Sequence, residues 1–275
     1  MRSLSFVVIA GLSCLGGSMP AADSMPFALG RQGGILIPAS LNGAGPFVML
    51  LDTGASHSSV SQELALTLRL PAVARTTVQS PVGDRERVVV QIDRMQVGAH
   101  RLSVRPTVVS RRDLAIAGEV HGVIGQDVLA NLRYTIDFRN QRVAWHGGDE
   151  PAAAGSLAVL PMAFSDGLPF VDLSQGRTRL RLVPDSGAGG LVLFAGAGRE
   201  LPASRPGDGI VRLDTLQGRG YARHVVISRL RVGGSTLRDL PAVIVEHGGA
   251  GDGLLPLHLF DRVTFDGPAG RLILG

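Results

Sequence analysis

The chain has 275 residues, enough for one large domain or two of ordinary size, and is 45% hydrophobic and 18% charged. All 27 basic residues are arginine, scattered among 23 acidic residues for a net charge of +4. No basic run alternates with aromatics, which argues against a nucleic-acid partner. The 37 glycines and 16 prolines are spread along the whole length between short Val, Leu and Ile runs, the punctuation of an all-β protein with many turns.

Residues 1–22 read as a secretory signal: Arg2, an apolar stretch from Leu4 to Leu15, then small residues before Asp23. A buried first strand or a short anchor is the alternative, but the stretch is shorter than the roughly 20 residues of a spanning helix. Export to the periplasm or the medium is the expectation, with lipid anchoring through Cys14 as a lesser option. Cys14 is the single cysteine, so the mature chain holds no disulfide. No later segment is long and apolar enough to span a membrane.

The remainder divides into two copies of one plan. Ile35-Leu36-Ile37-Pro38 followed by Phe47-Val48-Met49-Leu50-Leu51-Asp52-Thr53-Gly54-Ala55 corresponds to Leu168-Pro169-Phe170-Val171 followed by Leu180-Arg181-Leu182-Val183-Pro184-Asp185-Ser186-Gly187-Ala188. Val97-Gly98 answers Val232-Gly233, and Gly122-Val123-Ile124-Gly125 answers Gly253-Leu254-Leu255-Pro256. Each half closes on a strand pair, 135–138 with 142–145 and 263–266 with 271–274. Residues 27–146 form the first half and 156–275 the second, joined by a Gly- and Ala-rich linker, 147–155. Helices are a minority, with candidates at 61–68, 126–132 and, shorter, 257–260.

An apolar strand ending in Asp-Thr-Gly or Asp-Ser-Gly sets a carboxylate on a tight turn at the edge of a β core. Glycine permits the close approach, and the hydroxyl can bond across to the other copy. One such motif is a common turn; two at equivalent places in aligned halves suggest a single site. If twofold packing brings Asp52 and Asp185 within hydrogen-bond distance, both charges cannot persist and the pair shares one proton. One carboxyl then serves as base and the other as acid toward a water and a carbonyl, the pattern of the carboxylate dyad.

On these residues the chain resembles the retropepsin-like aspartyl proteases of bacteria, with two retropepsin-type halves fused in the manner of bilobal pepsins. Val123-Ile124-Gly125 supplies the apolar-apolar-Gly element with which that family braces its active-site loop. The resemblance implies an all-β, bilobal acid-protease fold with two pseudo-symmetric barrel-like lobes and an interlobe cleft. It implies an aspartic endopeptidase with Asp52 and Asp185 catalytic. Thr53, Gly54, Ser56, Ser186 and Gly187 support the loops, and the Ser56 hydroxyl is within reach of the outer oxygen of Asp52. No metal or organic cofactor takes part, and the partner is a peptide or protein substrate. A monomer is expected, since one chain supplies both lobes. The family's flap hairpins follow each aspartate by some thirty residues, which makes Gly83 (in 81–84) and Gly218 (in 217–220) candidate substrate-binding tips, ordinary sheet-edge hairpins being the alternative.

The second half departs more from the pattern. Pro256 replaces the Gly of the bracing element, and Gly189 stands in the place of Ser56. A non-catalytic periplasmic peptide-binding or scaffolding protein that keeps the fold is therefore the alternative function. His57 invites a triad reading, but there is no Gly-x-Ser-x-Gly elbow and no mature cysteine, so a loop histidine is the plainer reading. The histidines at 100, 121, 146, 224, 247 and 258 lack metal-ligand spacing, and Gly187-Ala188-Gly189-Gly190 lacks the Lys of a phosphate loop.

Overall fold

The computed structural model describes residues 24–30, 33–78, 85–109, 114, 119–146, 156–201, 204–215, 218–246 and 249–275. The expected signal segment, the linker 147–155 and the first hairpin tip with Gly83 lie outside the described residues. The fold is all-β, with two similar halves.

Both halves build the same unit around an aspartyl strand. In the first, strand Ala44–Leu51 pairs antiparallel with Ile35–Leu41 and parallel with Gly122–Ile124. Gly122–Ile124 also lies antiparallel to Ser59–Ser61, which runs parallel to Thr107–Val109. The second half repeats each pairing. Thr178–Asp185 lies between Leu168–Gln175 and Gly253–Pro256, Gly253–Pro256 is antiparallel to Leu191–Phe194, and that strand runs parallel to the 242–245 part of Ser235–Val245. The aspartyl strand is therefore central, hydrogen-bonded on both edges, and the residues just before each aspartate, Met49-Leu50-Leu51 and Leu182-Val183-Pro184, form a continuous buried run rather than an alternation. Where the bracing strand meets its antiparallel neighbour, the backbones approach so closely that only glycine fits. A Cβ on Gly122 would stand 2.2 Å from the carbonyl of Ser59, and one on Gly253 would stand 2.0 Å from that of Val192.

The two halves meet in one antiparallel sheet of six strands. Its order is Ser24–Pro26, Arg142–His146, Arg133–Asp137, Arg262–Asp266, Arg271–Leu274 and the start of Ala158–Ser165. The pseudo-twofold passes between Arg133–Asp137 and Arg262–Asp266, where Thr135 is directly opposite Thr264 and their hydroxyls are 2.6 Å apart. Symmetry repeats outward: Arg262 meets Asp137 at 3.1 Å and Arg133 meets Asp266 at 3.7 Å. Tyr134 stacks on Phe265 with ring centroids 5.0 Å apart. A single apolar cluster runs continuously through both halves.

The helices are short, as the composition suggests. Gln62–Thr67 begins at Ser61, whose hydroxyl accepts the backbone N–H of Leu64 at 3.1 Å. Gln126–Leu129 is shorter than the reading of 126–132, and 257–259 forms one 3₁₀ turn. Ala195–Glu200 is a helix that the sequence pattern does not announce, because Gly196 and Gly198 are poor helix formers and no side chain caps its start.

Candidate active site

Each aspartyl strand delivers its carboxylate to a turn at the junction of the halves. Asp52 and Asp185 are both 8% exposed and lie within hydrogen-bonding reach of each other. Glycine makes this approach possible: a Cβ on Gly54 would stand 2.6 Å from Cγ of Asp185. In each turn the inner carboxylate oxygen is held by backbone N–H groups. Gly54 donates to Oδ1 of Asp52 at 2.9 Å, while Gly187 and Ala188 donate to Oδ1 of Asp185 at 2.7 and 3.1 Å.

The following hydroxyl residues cross-link the turns. The N–H of Thr53 donates to Oγ of Ser186 at 3.0 Å, and the N–H of Ser186 donates to Oγ1 of Thr53 at 2.9 Å. Each hydroxyl in turn donates to the carbonyl preceding the other half's aspartate: Thr53 to Pro184 and Ser186 to Leu51, both at 2.8 Å. Four buried bonds between two hydroxyls and four backbone groups fix the carboxylates relative to one another. The role requires a β-hydroxyl and nothing more, which is why Thr in one half and Ser in the other both serve.

Burial raises the pKa of both carboxyls, because the charged form loses its hydration. The backbone donors of Gly54 and Ala55 and the hydrogen bond with Asp185 restrain that rise at Asp52. Asp185 is pushed up to about 8, by burial first and by the charge of Asp52 second, against the opposing pull of the Gly187 and Ala188 N–H groups. The pair therefore holds one proton across neutral pH.

Behind the first turn lies a polar brace that the sequence reading missed. Ser58, fully buried, donates its N–H and its hydroxyl to Oδ1 of Asp127, at 2.9 and 2.6 Å, and accepts the N–H of Gly125 at 3.1 Å. Gln126 donates its side-chain amide to the carbonyl of Thr53 at 2.8 Å. Burial raises the pKa of Asp127, opposed by the Ser58 hydrogen bonds and the nearby His57. At the corresponding places the second half has Leu191, Leu257 and His258, so comparing the halves concealed the brace rather than revealing it. Burial pushes the His258 imidazole down, opposed by a backbone hydrogen bond with Ala188.

Ser56 stands differently from the expectation, and Gly218 lies at a hairpin end as expected. The Ser56 hydroxyl does not bond Asp52; it lies 3.0 Å from Nδ1 of His57, because the chain has already turned outward and His57 is exposed. Gly218 opens the strand Gly218–Val232 and pairs with Thr215, closing the second hairpin. Among the described residues no group of His, Cys, Asp and Glu forms a metal-binding cluster, and no helix is long and apolar enough to cross a membrane.

A family model described as aspartyl protease matches the chain twice, over residues 37–128 and 171–259. Each match spans one aspartyl turn and its bracing strand, consistent with two fused retropepsin-type halves. No curated protein matches the chain significantly.

Proposed function

Since the chain belongs to the aspartyl protease family, we propose that it is an aspartic endopeptidase in which Asp52 and Asp185 act on a water between them. The observation that carries the reading is the reciprocal Thr53–Ser186 lock, which holds two buried carboxyls face to face. Fixing the geometry before substrate arrives places the cost of organisation in folding rather than in the reaction.

The pair holds one proton at rest, so one carboxyl is the base and the other the acid. As the water attacks the peptide carbonyl carbon, the ionised carboxyl takes its proton and the protonated one gives its proton to the carbonyl oxygen. Collapse of the tetrahedral intermediate breaks the C–N bond: the carboxyl that took the water's proton gives it to the leaving amine, and the other recovers its proton from the hydroxyl that becomes the new carbonyl, which restores the pair. We place this activity outside the cytoplasm, on the strength of the apolar N-terminal segment.

The test is incubation of the mature chain with a mixed peptide library between about pH 3 and pH 8, the range over which a coupled carboxyl pair titrates, with products identified by mass spectrometry. Internal cleavage supports the reading. Peptide binding without cleavage at any pH assigns the chain to the non-catalytic alternative.

A further inference from the structure

The helix Gln126–Leu129 packs against the strand His100–Val104, and where they meet a surface cavity of about 350 Å³ opens. Among the described residues it is lined by His57, Gln91, Ser103, Val104, Arg105 and Asp127. Neither Asp52 nor Asp185 contributes to its wall, so it is a second concavity rather than part of the candidate active site.

Two opposite charges line this cavity without pairing. Arg105 is held by one edge: its Nε donates to Oε1 of Gln91 at 3.0 Å. Gln91 is itself fixed, since its amide nitrogen donates to Oγ of Ser103 at 2.9 Å and to the carbonyl of Ile92 at 3.2 Å. The terminal nitrogens of Arg105 make no hydrogen bond among the described residues. Asp127 is likewise held at one atom, because both Ser58 donors fall on Oδ1, which leaves Oδ2 for a partner from the cavity. His57, whose Nδ1 lies 3.0 Å from the Ser56 hydroxyl, stands near enough to Asp127 to favour its charged form. Among the described residues no ion pair joins Arg105 to Asp127. Val104, buried, supplies the apolar part of the wall.

A simple anion attracted by Arg105 is repelled by Asp127, and a simple cation meets the reverse, so the wall selects against both. A molecule that carries an ammonium and a carboxylate together satisfies both charges at once. The volume lies at the small end of the roughly 300–1,000 Å³ of ligand sites. We propose that this cavity binds a free α-amino acid with a small aliphatic side chain. Its carboxylate meets the terminal nitrogens of Arg105, a bidentate geometry suited to guanidinium, its ammonium meets Oδ2 of Asp127, and its side chain lies toward Val104. A peptide terminus carries only one of the two charges on its end residue and fits the wall less well. Because Asp127 holds Ser58, and Ser58 holds Gly125, an occupant of the cavity steadies the brace beneath the Asp52 turn.

The experiment is titration of the mature chain with L-alanine, followed by two-dimensional NMR at the Arg105 Nε–H and at the Ser58 and Gly125 amides. Saturable shifts are expected, with a dissociation constant on the order of 1 mM. N-acetyl-L-alanine keeps only the carboxylate and L-alaninamide only the ammonium; each is expected to bind at least about tenfold more weakly. Arg105→Gln, at an exposed position, is expected to weaken alanine binding by at least about tenfold with the melting temperature of the free protein little changed. Asp127→Asn, which keeps an acceptor for Ser58, is expected to weaken it similarly. None of these readings needs cleavage, so failure here leaves the dyad untouched and failure of the dyad leaves this site. Absence of saturable shifts up to about 20 mM alanine, or unchanged binding in either variant, overturns the proposal. Equal binding of N-acetyl-L-alanine or of L-alaninamide also overturns it and reassigns the cavity to a simple anion or a simple cation.

Discussion

Gly54 lies so close to Asp185 that a single methyl group on it would stand 2.6 Å from the carboxyl carbon, whereas the same group on Gly187 would meet nothing nearer than 3.3 Å. The two turns are thus alike in sequence and unequal in room. Gly54→Ala is expected to lower kcat/KM by roughly 10²-fold, the cost of displacing a reacting group by about an ångström. Gly187→Ala is expected to cost less than about tenfold, because its contacts are near ordinary van der Waals separation. Steady-state kinetics of the two variants on one peptide checks the asymmetry.

Thr53→Ala removes two of the four bonds between the turns and leaves the N–H of Ser186 and the carbonyl of Pro184 buried without partners. A loss of about 2–4 kcal/mol is expected. Thr53→Ser keeps the hydroxyl and is expected to lose less than about 1.5 kcal/mol, the cost of a methyl group. Denaturant melts of both variants decide it; equal destabilisation would mean that the methyl rather than the hydroxyl matters.

The raised pKa of Asp185 has an effect on stability whose sign follows from linkage. Its folded-state value of about 8 lies above the ordinary 3.8, so between these values the folded chain binds more protons than the unfolded one. Stability contributed by this group is fully present below about pH 4 and is lost as pH rises toward 8. Asp185→Asn is neutral at every pH, so its melting temperature is expected to exceed that of the wild type at pH 8, with the gain shrinking toward pH 4. Cleavage by the wild type is expected to fall above about pH 8, where the shared proton leaves. Thermal melts across that range check the first, and a pH–rate profile the second.

Much of the fold was legible because the chain states it twice. The aspartyl strands, the bracing strands and the closing hairpins each occur in both halves with similar patterns, and the structure pairs them alike. The resemblance rested on the same repeated residues, and the family match spans both turns. What the sequence could not display was whatever one half does alone. Ser58, Gln126 and Asp127 form hydrogen bonds that Leu191, Leu257 and His258 cannot mirror, and no local pattern marks a serine whose partner lies 69 residues away. The joining of the halves through Thr135 and Thr264 was equally hidden, since pairing between distant hairpins depends on tertiary register.

The one-sided brace yields its own prediction. Asp127→Ala leaves both Ser58 donors without their acceptor and is expected to cost about 1–3 kcal/mol. It is also expected to lower kcat more than it raises KM, because Ser58 holds Gly125 beneath the Asp52 turn. Asp127→Asn keeps an acceptor oxygen and is expected to restore most of the loss. Parallel measurement of melting temperature and the two kinetic constants separates a positioning role from a general loss of structure.

Comparison of the halves also locates a weak point. Gln175 is 2% exposed, and neither its amide nitrogen nor its oxygen has a hydrogen-bond partner. In the first half Leu41 occupies the same place before a two-residue turn, opposite Ala44 as Gln175 is opposite Thr178. Gln175→Leu is expected to stabilise the protein by about 1–2 kcal/mol, by removing an unsatisfied amide from the core. A urea melt with an unchanged m-value checks it.

The central claim is that Asp52 and Asp185 act as one catalytic pair. It is tested most directly by measuring kcat/KM of Asp52→Asn and of Asp185→Asn on a peptide that the wild type cleaves, with folding of both variants verified by thermal melts. Both are expected to fall by at least about 10³-fold, since removal of either member leaves no shared proton and no acid–base pair. Retention of wild-type cleavage by Asp52→Asn in a folded protein would contradict the assignment of the pair.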